Sequence, residues 1–247
     1  MSGGALIFRN EDLDPERCRG EFVAAMYEDL RWLGLKWIEG PDCGGPYAPY
    51  SQSERRESYL DVWRKLRDGG FIYPCTCSRK ELAVAATAPN DLDDEPLYPG
   101  KCRARTYASS FEHPAGVNWR FRVPDGEKIE FTDQYLGAQH YIAGQDFGDF
   151  VIWRRDDVPA YQAAVVADDR AMKITEVVRG ADLLKSTARQ LLLYRALGYE
   201  APEFYHCDLA RDESGMRLAK RHDALSIRTL RESGWTAERV RERALQL

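Results

Sequence analysis

Three cysteines pose the first chemical question. In the stretch YPCTCSRKEL, Tyr73 to Leu82, Cys75 and Cys77 are one residue apart, and Cys102 ends the later stretch LYPGKC. Three thiolates are most of a metal site, but a closed tetrahedral zinc site takes four ligands. Read from residues alone, the fourth stays open. His113 and Glu95 are the chemically commoner choices, and three incidental thiols are the alternative to any metal. Cys18, Cys43 and Cys207 stand alone and are assigned no role, since single cysteines mostly serve as small core residues.

A second set of residues could handle an anionic, amine-bearing substrate. Glu11 lies in FRNEDLDPER, where its charge suits an ammonium group. Arg179 closes TEVVR, and a guanidinium can grip a side-chain carboxylate bidentately, while Tyr161 of AYQAAVVADD can add a hydroxyl. Arg217 and Lys220 lie in GMRLAKR, a glycine-preceded basic loop. A lysine there can follow a triphosphate and neutralise charge that develops as a carboxylate attacks the α-phosphorus and pyrophosphate leaves. Taken singly, each has an ordinary alternative: a helix-capping carboxylate, a surface arginine, a solvated basic loop.

The elements that must position these groups follow from pattern. ALIFR reads as a short buried strand, and Asp14-Pro15 as the N-cap and first residue of a helix carrying Phe22, Met26, Leu30 and Leu33, stopped at Gly34. A second helix after Ser53 places Leu60, Trp63 and Leu66 on one face and ends at Gly69-Gly70. FIYPC is a strand, SRKE a capping box that opens a short helix, and APNDLDDEP an acidic loop. In NWRFRVPDGEKIEF, alternation about Asp125-Gly126 predicts a β-hairpin. From residue 150 the apolar runs FVIW, AAVVA and ITEVV alternate with the helix DLLKSTARQLLLYRALG, which predicts a parallel α/β sheet with the hairpin-and-cysteine region inserted into it.

Composition bounds the class. The 247 residues are 44% apolar and 11% aromatic, enough for a core. No apolar run approaches the roughly 18 residues of a membrane span, and the start lacks a secretory apolar stretch, so a cytoplasmic chain without membrane attachment is expected. Six cysteines without a disulfide-scaffold rhythm point to thiols and metal. The net charge of -5 argues against affinity built on phosphate neutralisation. Residues 211 to 247 nevertheless carry nine basic against six acidic side chains, which can meet RNA or simply face solvent.

Together, FRNEDLDPER, AYQAAVVADD, ITEVVRGADLL and MRLAKR resemble, in order and spacing, the Arg-x-Glu-Asp-x-Asp-Pro turn, substrate strand, Val-x-Arg-Gly segment and Lys-Met-Ser-Lys-Ser loop of the class I glutamyl-tRNA synthetase family. The resemblance implies a Rossmann-like α/β nucleotide-binding fold with a parallel sheet, split by a small zinc-bearing α+β insertion that touches a tRNA acceptor arm. It implies glutamate contacts at Glu11, Tyr161 and Arg179, and ATP contacts at Lys220 and Arg217, with Lys220 catalytic. Arg217 stands for the family's first lysine and Ala219 for its serine, so one hydroxyl contact is lost. Cys-x-Cys followed by Tyr-x-x-x-Cys, and the short chain after the basic loop, resemble the glutamyl-Q tRNA(Asp) synthetase branch, which implies structural zinc on Cys75, Cys77, Tyr98 and Cys102.

The expected division is residues 1–70 for the first part of the nucleotide-binding fold, 71–149 for the insertion, 150–210 for the second part, and 211–247 for the basic loop and last helices. The family's His-x-Gly-His set is not found: His113, His140, His206 and His222 lack its context, and only eight residues precede Arg9. The reading is therefore an N-terminally incomplete fold, either a shortened form of a complete enzyme, which Glu11, Tyr161, Arg179 and Lys220 in register favour, or a short protein with impaired or lost ATP use. The implied activity is ATP-dependent activation of glutamate, with Mg2+, and transfer to queuosine in tRNA(Asp) by a monomer. The alternatives are an ordinary glutamyl-tRNA synthetase core charging tRNA(Glu), a non-catalytic zinc-containing RNA-binding module, and an unrelated α/β protein.

Overall fold

The computed structural model describes residues 3–14, 18–78, 97–104, 107–209 and 226–244. Two compact units divide the chain, one built from Met1–Glu54 with Asp208–Leu247, the other from Arg55–Cys207.

In the first unit, residues 6–10 run extended. Phe8 N–H donates to Glu39 O at 2.8 Å, Asn10 N–H to Tyr50 O at 2.9 Å, and Gln52 N–H to Asn10 O at 3.0 Å. These are isolated bridges in place of the strand expected for ALIFR. Helix α1 spans Gly20–Trp32 with Arg19 as its N-cap, later than the start expected at Asp14; Pro15 lies outside the described residues. Its end is as expected, because Gly34 adopts φ 86° and Leu35 N–H returns to Leu30 O. Phe22, expected on the inner face of α1, is exposed.

The second unit carries the sheets. Helix α2 (Arg56–Asp68) buries Leu60, Trp63 and Leu66, and Gly70 at φ 72° lets Phe71 N–H reach Leu66 O. Strand β1 (Ile72–Cys75) follows, and β2 (Asn118–Phe121) pairs antiparallel with it and with β5 (Val151–Trp153), giving the order β1-β2-β5. Pro74 is tolerated because β1 is an edge strand. Trp119 of β2 meets Trp63 edge-on at 5.0 Å in the core between helix and sheet.

The second sheet has four strands, β3 (Lys128–Asp133), β4 (Gly137–Ile142), β6 (Glu176–Gly180) and β7 (Glu203–Cys207), in the order β4-β3-β7-β6. Strands β6 and β7 are parallel, as are β3 and β7, whereas β3 and β4 are antiparallel. The sheet is thus mixed where a parallel one was expected. The hairpin predicted around Asp125-Gly126 is also corrected. That turn exists, with Glu127 N–H bonded to Pro124 O and Gly126 at φ 82°, but it carries the chain from one sheet to the other. The real hairpin is β3–β4, closed at Asp133 opposite Gly137, whose φ of 73° is costly for any residue but glycine.

AAVVA is not a strand. It lies in helix α3 (Tyr161–Ala171), where every residue from Ala163 to Asp169 is buried. A helix enclosed on all sides loses the amphipathic rhythm by which sequence distinguishes it from a buried strand. Helix α4 (Leu184–Leu197) ends at Gly198 as expected, in the left-handed conformation. In the first unit, the C-terminal helices α5 (Ile227–Glu232) and α6 (Ala237–Ala244) meet α1, Arg228 pairing with Glu28 at 2.9 Å. The segments SRKEL, APNDLDDEP and GMRLAKR fall mostly or wholly outside the described residues.

Helix α3 is clamped by charge. Arg55 Nε donates to Asp168 Oδ1 at 2.6 Å, with both side chains buried, and Tyr59 OH reaches the same carboxylate at 3.0 Å. On the other side Tyr194 OH donates to Asp169 at 2.9 Å. Removing only the cation leaves a buried carboxylate short of its partner, which costs far more than replacing both residues by apolar ones. Arg55→Met should lower unfolding stability by about 3–5 kcal/mol in urea titration, and Arg55→Met/Asp168→Leu should regain at least half of that; a double variant as unstable as the single one would contradict this account.

Candidate functional site

Strand β6 delivers Arg179 and β7 delivers His206 at paired positions of the parallel ladder. His206 alternates with Phe204 on the buried face of β7, and the ring is fully enclosed. A polar ring on that face needs partners. Asp133, the last residue of β3, supplies one at 2.6 Å to Nδ1 and also accepts the His206 backbone N–H at 3.1 Å. The same carboxylate accepts the N–H groups of Tyr135 at 3.0 Å and Leu136 at 2.8 Å, closing the β3–β4 turn. Burial alone would raise the Asp133 carboxyl, but the Leu136 N–H, the His206 ring and the other donors hold it below its ordinary value.

Arg179 lies against the other edge of the imidazole, its Nε donating to His206 Nε2 at 3.1 Å. A guanidinium can only donate, so Nε2 accepts and the ring proton sits on Nδ1, facing Asp133. Nη2 of Arg179 donates to Thr187 Oγ1 at 2.7 Å and to Gln190 Oε1 at 2.9 Å, both buried residues of α4. Gln190 is in turn held by Gln162 at 2.9 Å, and Gln162 by Ser186 at 3.0 Å. Nη1 makes only a long contact, 3.5 Å, to the hydroxyl of Tyr161 at the start of α3. Among the described residues every hydrogen-bond partner of Arg179 is neutral, and its Nη1 side lies beside an exposed tyrosine. A cation so placed is suited to an anion.

The structure therefore brings Tyr161 and Arg179 together. Glu11 lies in the first unit, on the turn after the extended 6–10 segment, paired with Arg9 at 2.9 Å. Lys220 and Arg217 lie outside the described residues. Sequence reasoning missed Asp133, Thr187, Gln190 and His206. The available signal was the alternation in EFYHC, which turns His206 inward with Phe204.

A second cluster lies at the end of β1. Cys75, Cys77 and Cys102 are buried, and their sulfurs lie within 4.8 Å of one another. The Tyr98 hydroxyl is 3.4 Å from Cys75 Sγ and 3.5 Å from Cys77 Sγ, and it accepts the Cys102 N–H at 2.8 Å. Gly148 permits the close approach, since a Cβ there would lie 3.2 Å from Tyr98 N. His113 is exposed and outside this cluster, and Glu95 lies outside the described residues. Tetrahedral zinc with sulfurs at about 2.3 Å sets ligand atoms about 3.5–3.8 Å apart. The 3.6 Å between the sulfurs of Cys77 and Cys102, with the two phenol distances, matches that spacing, so the donor set fits. Burial opposes ionisation of Cys102, yet the Tyr98 hydroxyl and Thr76 N–H bring its thiol down to about 7, while burial pushes Cys77 up.

The chain is similar to known proteins over nearly its whole length. The family model for the catalytic domain of class I tRNA synthetases (E and Q) matches residues 1–245. The chain is 48% identical over 243 residues to a glutamyl-Q tRNA(Asp) synthetase of Symbiobacterium thermophilum, covering 97% of this chain and 75% of that one. It is 43% identical over 235 residues to glutamate–tRNA ligase 2 of Syntrophus aciditrophicus, covering 94% and 48%. The solved glutamate-tRNA synthetase from Elizabethkingia anophelis superimposes with a TM-score of 0.76 at 31% identity, covering 94% of this chain and 48% of that one. The chain thus spans about half the length of that solved relative.

The tautomer of His206 is directly measurable. Burial lowers its proton affinity despite Asp133, so the folded protein resists charging the ring. The unfolded ring takes a proton near its ordinary value of 6.5. Stability held above that pH is lost as the pH falls below it, by up to about 1.4 kcal/mol per unit. Histidine 15N resonances at neutral pH should show a bare Nε2 and a protonated Nδ1. Between about pH 7.5 and about 5.5, the urea midpoint of the native chain should fall further than that of His206→Asn; an Nε2–H tautomer or parallel profiles would contradict the assignment.

Proposed function

Because the chain belongs to the class I tRNA synthetase (E and Q) catalytic-domain family, we propose that it activates glutamate with ATP and transfers it to queuosine in the anticodon loop of tRNA(Asp). The observation that carries the amino-acid half of this reading is Arg179, a cation whose described partners are all neutral and whose Nη1 side faces the Tyr161 hydroxyl. That arrangement suits a carboxylate of the substrate, taken by Nη1 and the tyrosine together. It replaces the two-pronged grip expected from sequence, because Nε and Nη2 are occupied within the protein.

In this reading Glu11 meets the substrate ammonium. The glutamate α-carboxylate attacks the α-phosphorus of ATP, the bond to the bridging oxygen breaks, and pyrophosphate leaves with its charge neutralised by Lys220 and Arg217; Mg2+, when bound with ATP, would supply further charge neutralisation. A queuosine hydroxyl then attacks the acyl carbon and AMP departs. The tRNA(Asp) assignment rests on the names of relatives at 47 and 48% identity and on the Cys-x-Cys and Tyr-x-x-x-Cys pattern. The second reading, charging of tRNA(Glu), draws on the ligases at 43 and 41% identity. Labelled glutamate should become attached to queuosine-containing tRNA(Asp) and not to tRNA(Glu). The reverse outcome favours the second reading, and absence of glutamate-dependent ATP–pyrophosphate exchange favours an RNA-binding module.

Zinc, when bound, would be structural, and Cys75, Cys77, Cys102 and Tyr98 are the residues that would hold it. The cluster belongs to the β1-β2-β5 side of the unit, whereas Arg179 belongs to the other sheet. Elemental analysis should give one zinc per chain and none for Cys102→Ala, with the thermal midpoint falling on chelation. A native chain that binds no zinc would remove the assignment.

A further inference from the structure

We propose that Asp133 and His206 are positioning residues for the amino-acid substrate, acting through a neutral imidazole that ties down Arg179 so that only its Nη1 side is left for a carboxylate. The inference rests on the glutamate-activating reading above and deepens it. Left alone, an arginine side chain samples many rotamers, and each must be given up when a ligand binds. Here the cost is met during folding. Nε is held at 3.1 Å by His206 Nε2, and Nη2 by Thr187 at 2.7 Å and Gln190 at 2.9 Å.

The choice of a neutral acceptor matters. A carboxylate directly on Nε would neutralise Arg179 and compete with the substrate anion. Asp133 instead stands one imidazole away, bonded to Nδ1 at 2.6 Å, where it fixes ring orientation and tautomer while the guanidinium keeps its charge. Its own position is over-determined by the Tyr135, Leu136 and His206 N–H groups. The order carboxylate, imidazole, guanidinium thus transmits the rigidity of the β3–β4 turn to the substrate-facing edge.

The arrangement has a signature that a merely structural role lacks. Among the described residues, the charged groups that act on the His206 ring are Asp133 of β3, Arg179 of β6 and Asp182 of the turn Ala181–Leu183 before α4. Protonation of Nε2 removes the acceptor and sets a cation against Arg179. The glutamate KM should therefore rise as pH falls below the ordinary histidine range, with kcat following a separate profile.

The test is glutamate-dependent ATP–pyrophosphate exchange by the full chain, read as KM and kcat against pH. His206→Phe should raise the glutamate KM at least tenfold at neutral pH and leave kcat within about threefold. His206→Gln presents an amide acceptor that does not titrate. It should bring KM back to within about threefold of native and abolish its acidic rise. A folded His206→Phe variant with native KM, or a His206→Gln variant with the native pH dependence, overturns the inference. Should the phenylalanine variant fail to fold, the pH profile of the glutamine variant decides alone. Absence of glutamate-dependent exchange in the native chain overturns the activity reading itself and takes this inference with it; native exchange with unmoved variants overturns only the inference.

Discussion

The carboxylate of Asp133 is the constraint on which the second unit turns. It is buried, and burying a charge is unfavourable unless donors surround it. Four do: the N–H groups of Tyr135, Leu136 and His206, and the ring Nδ1 of His206. They come from the β3–β4 turn and from β7, so satisfying one charge also closes a hairpin and docks it on the neighbouring parallel strand. That docking matters because β3 and β7 share only one paired position, Asp133 with Phe204.

Helix α3 meets a related demand by different means. Its buried flank combines small side chains with two carboxylates, and each carboxylate is met by a helix on one side: Asp168 by Arg55 and Tyr59, Asp169 by Tyr194. With its C-terminal half clamped, the N-terminal end holds Tyr161 against Arg179 and Gln162 against Gln190. The buried ion pair and the Tyr161–Arg179 contact therefore lie toward opposite ends of one helix. The buried cysteines are separate from both, anchored by β1 and by the residues around Tyr98.

Much of the site was legible because its residues announce themselves locally. Cys75 ends a strand as the stretch FIYPC implied, Cys77 lies two residues beyond it, and the Tyr98 phenol lies among the sulfurs. Arg179 and Tyr161 meet, although the contact of Arg179 with His206, 27 positions along the chain, has no local signature. The same limit applied to pairing. Trp119, Phe121 and Ile129 are buried, but so is Arg120 between the first two, so β2 does not alternate, and the pattern could not tell that β2 and β3 belong to different sheets.

By itself the sequence determined whatever depends on near neighbours: the face of α2 carrying Leu60, Trp63 and Leu66, the glycine stops at Gly34, Gly70 and Gly198, and the clustering of Cys75 with Cys77. Only the tertiary structure decided that AAVVA is a helix, that the sheet is mixed, and that Asp133 meets His206 across 73 positions of chain. The reason is physical. Periodicity and turn chemistry are set by backbone geometry over a few residues, whereas strand partners and buried polar contacts are chosen by which distant groups can satisfy one another once water is excluded.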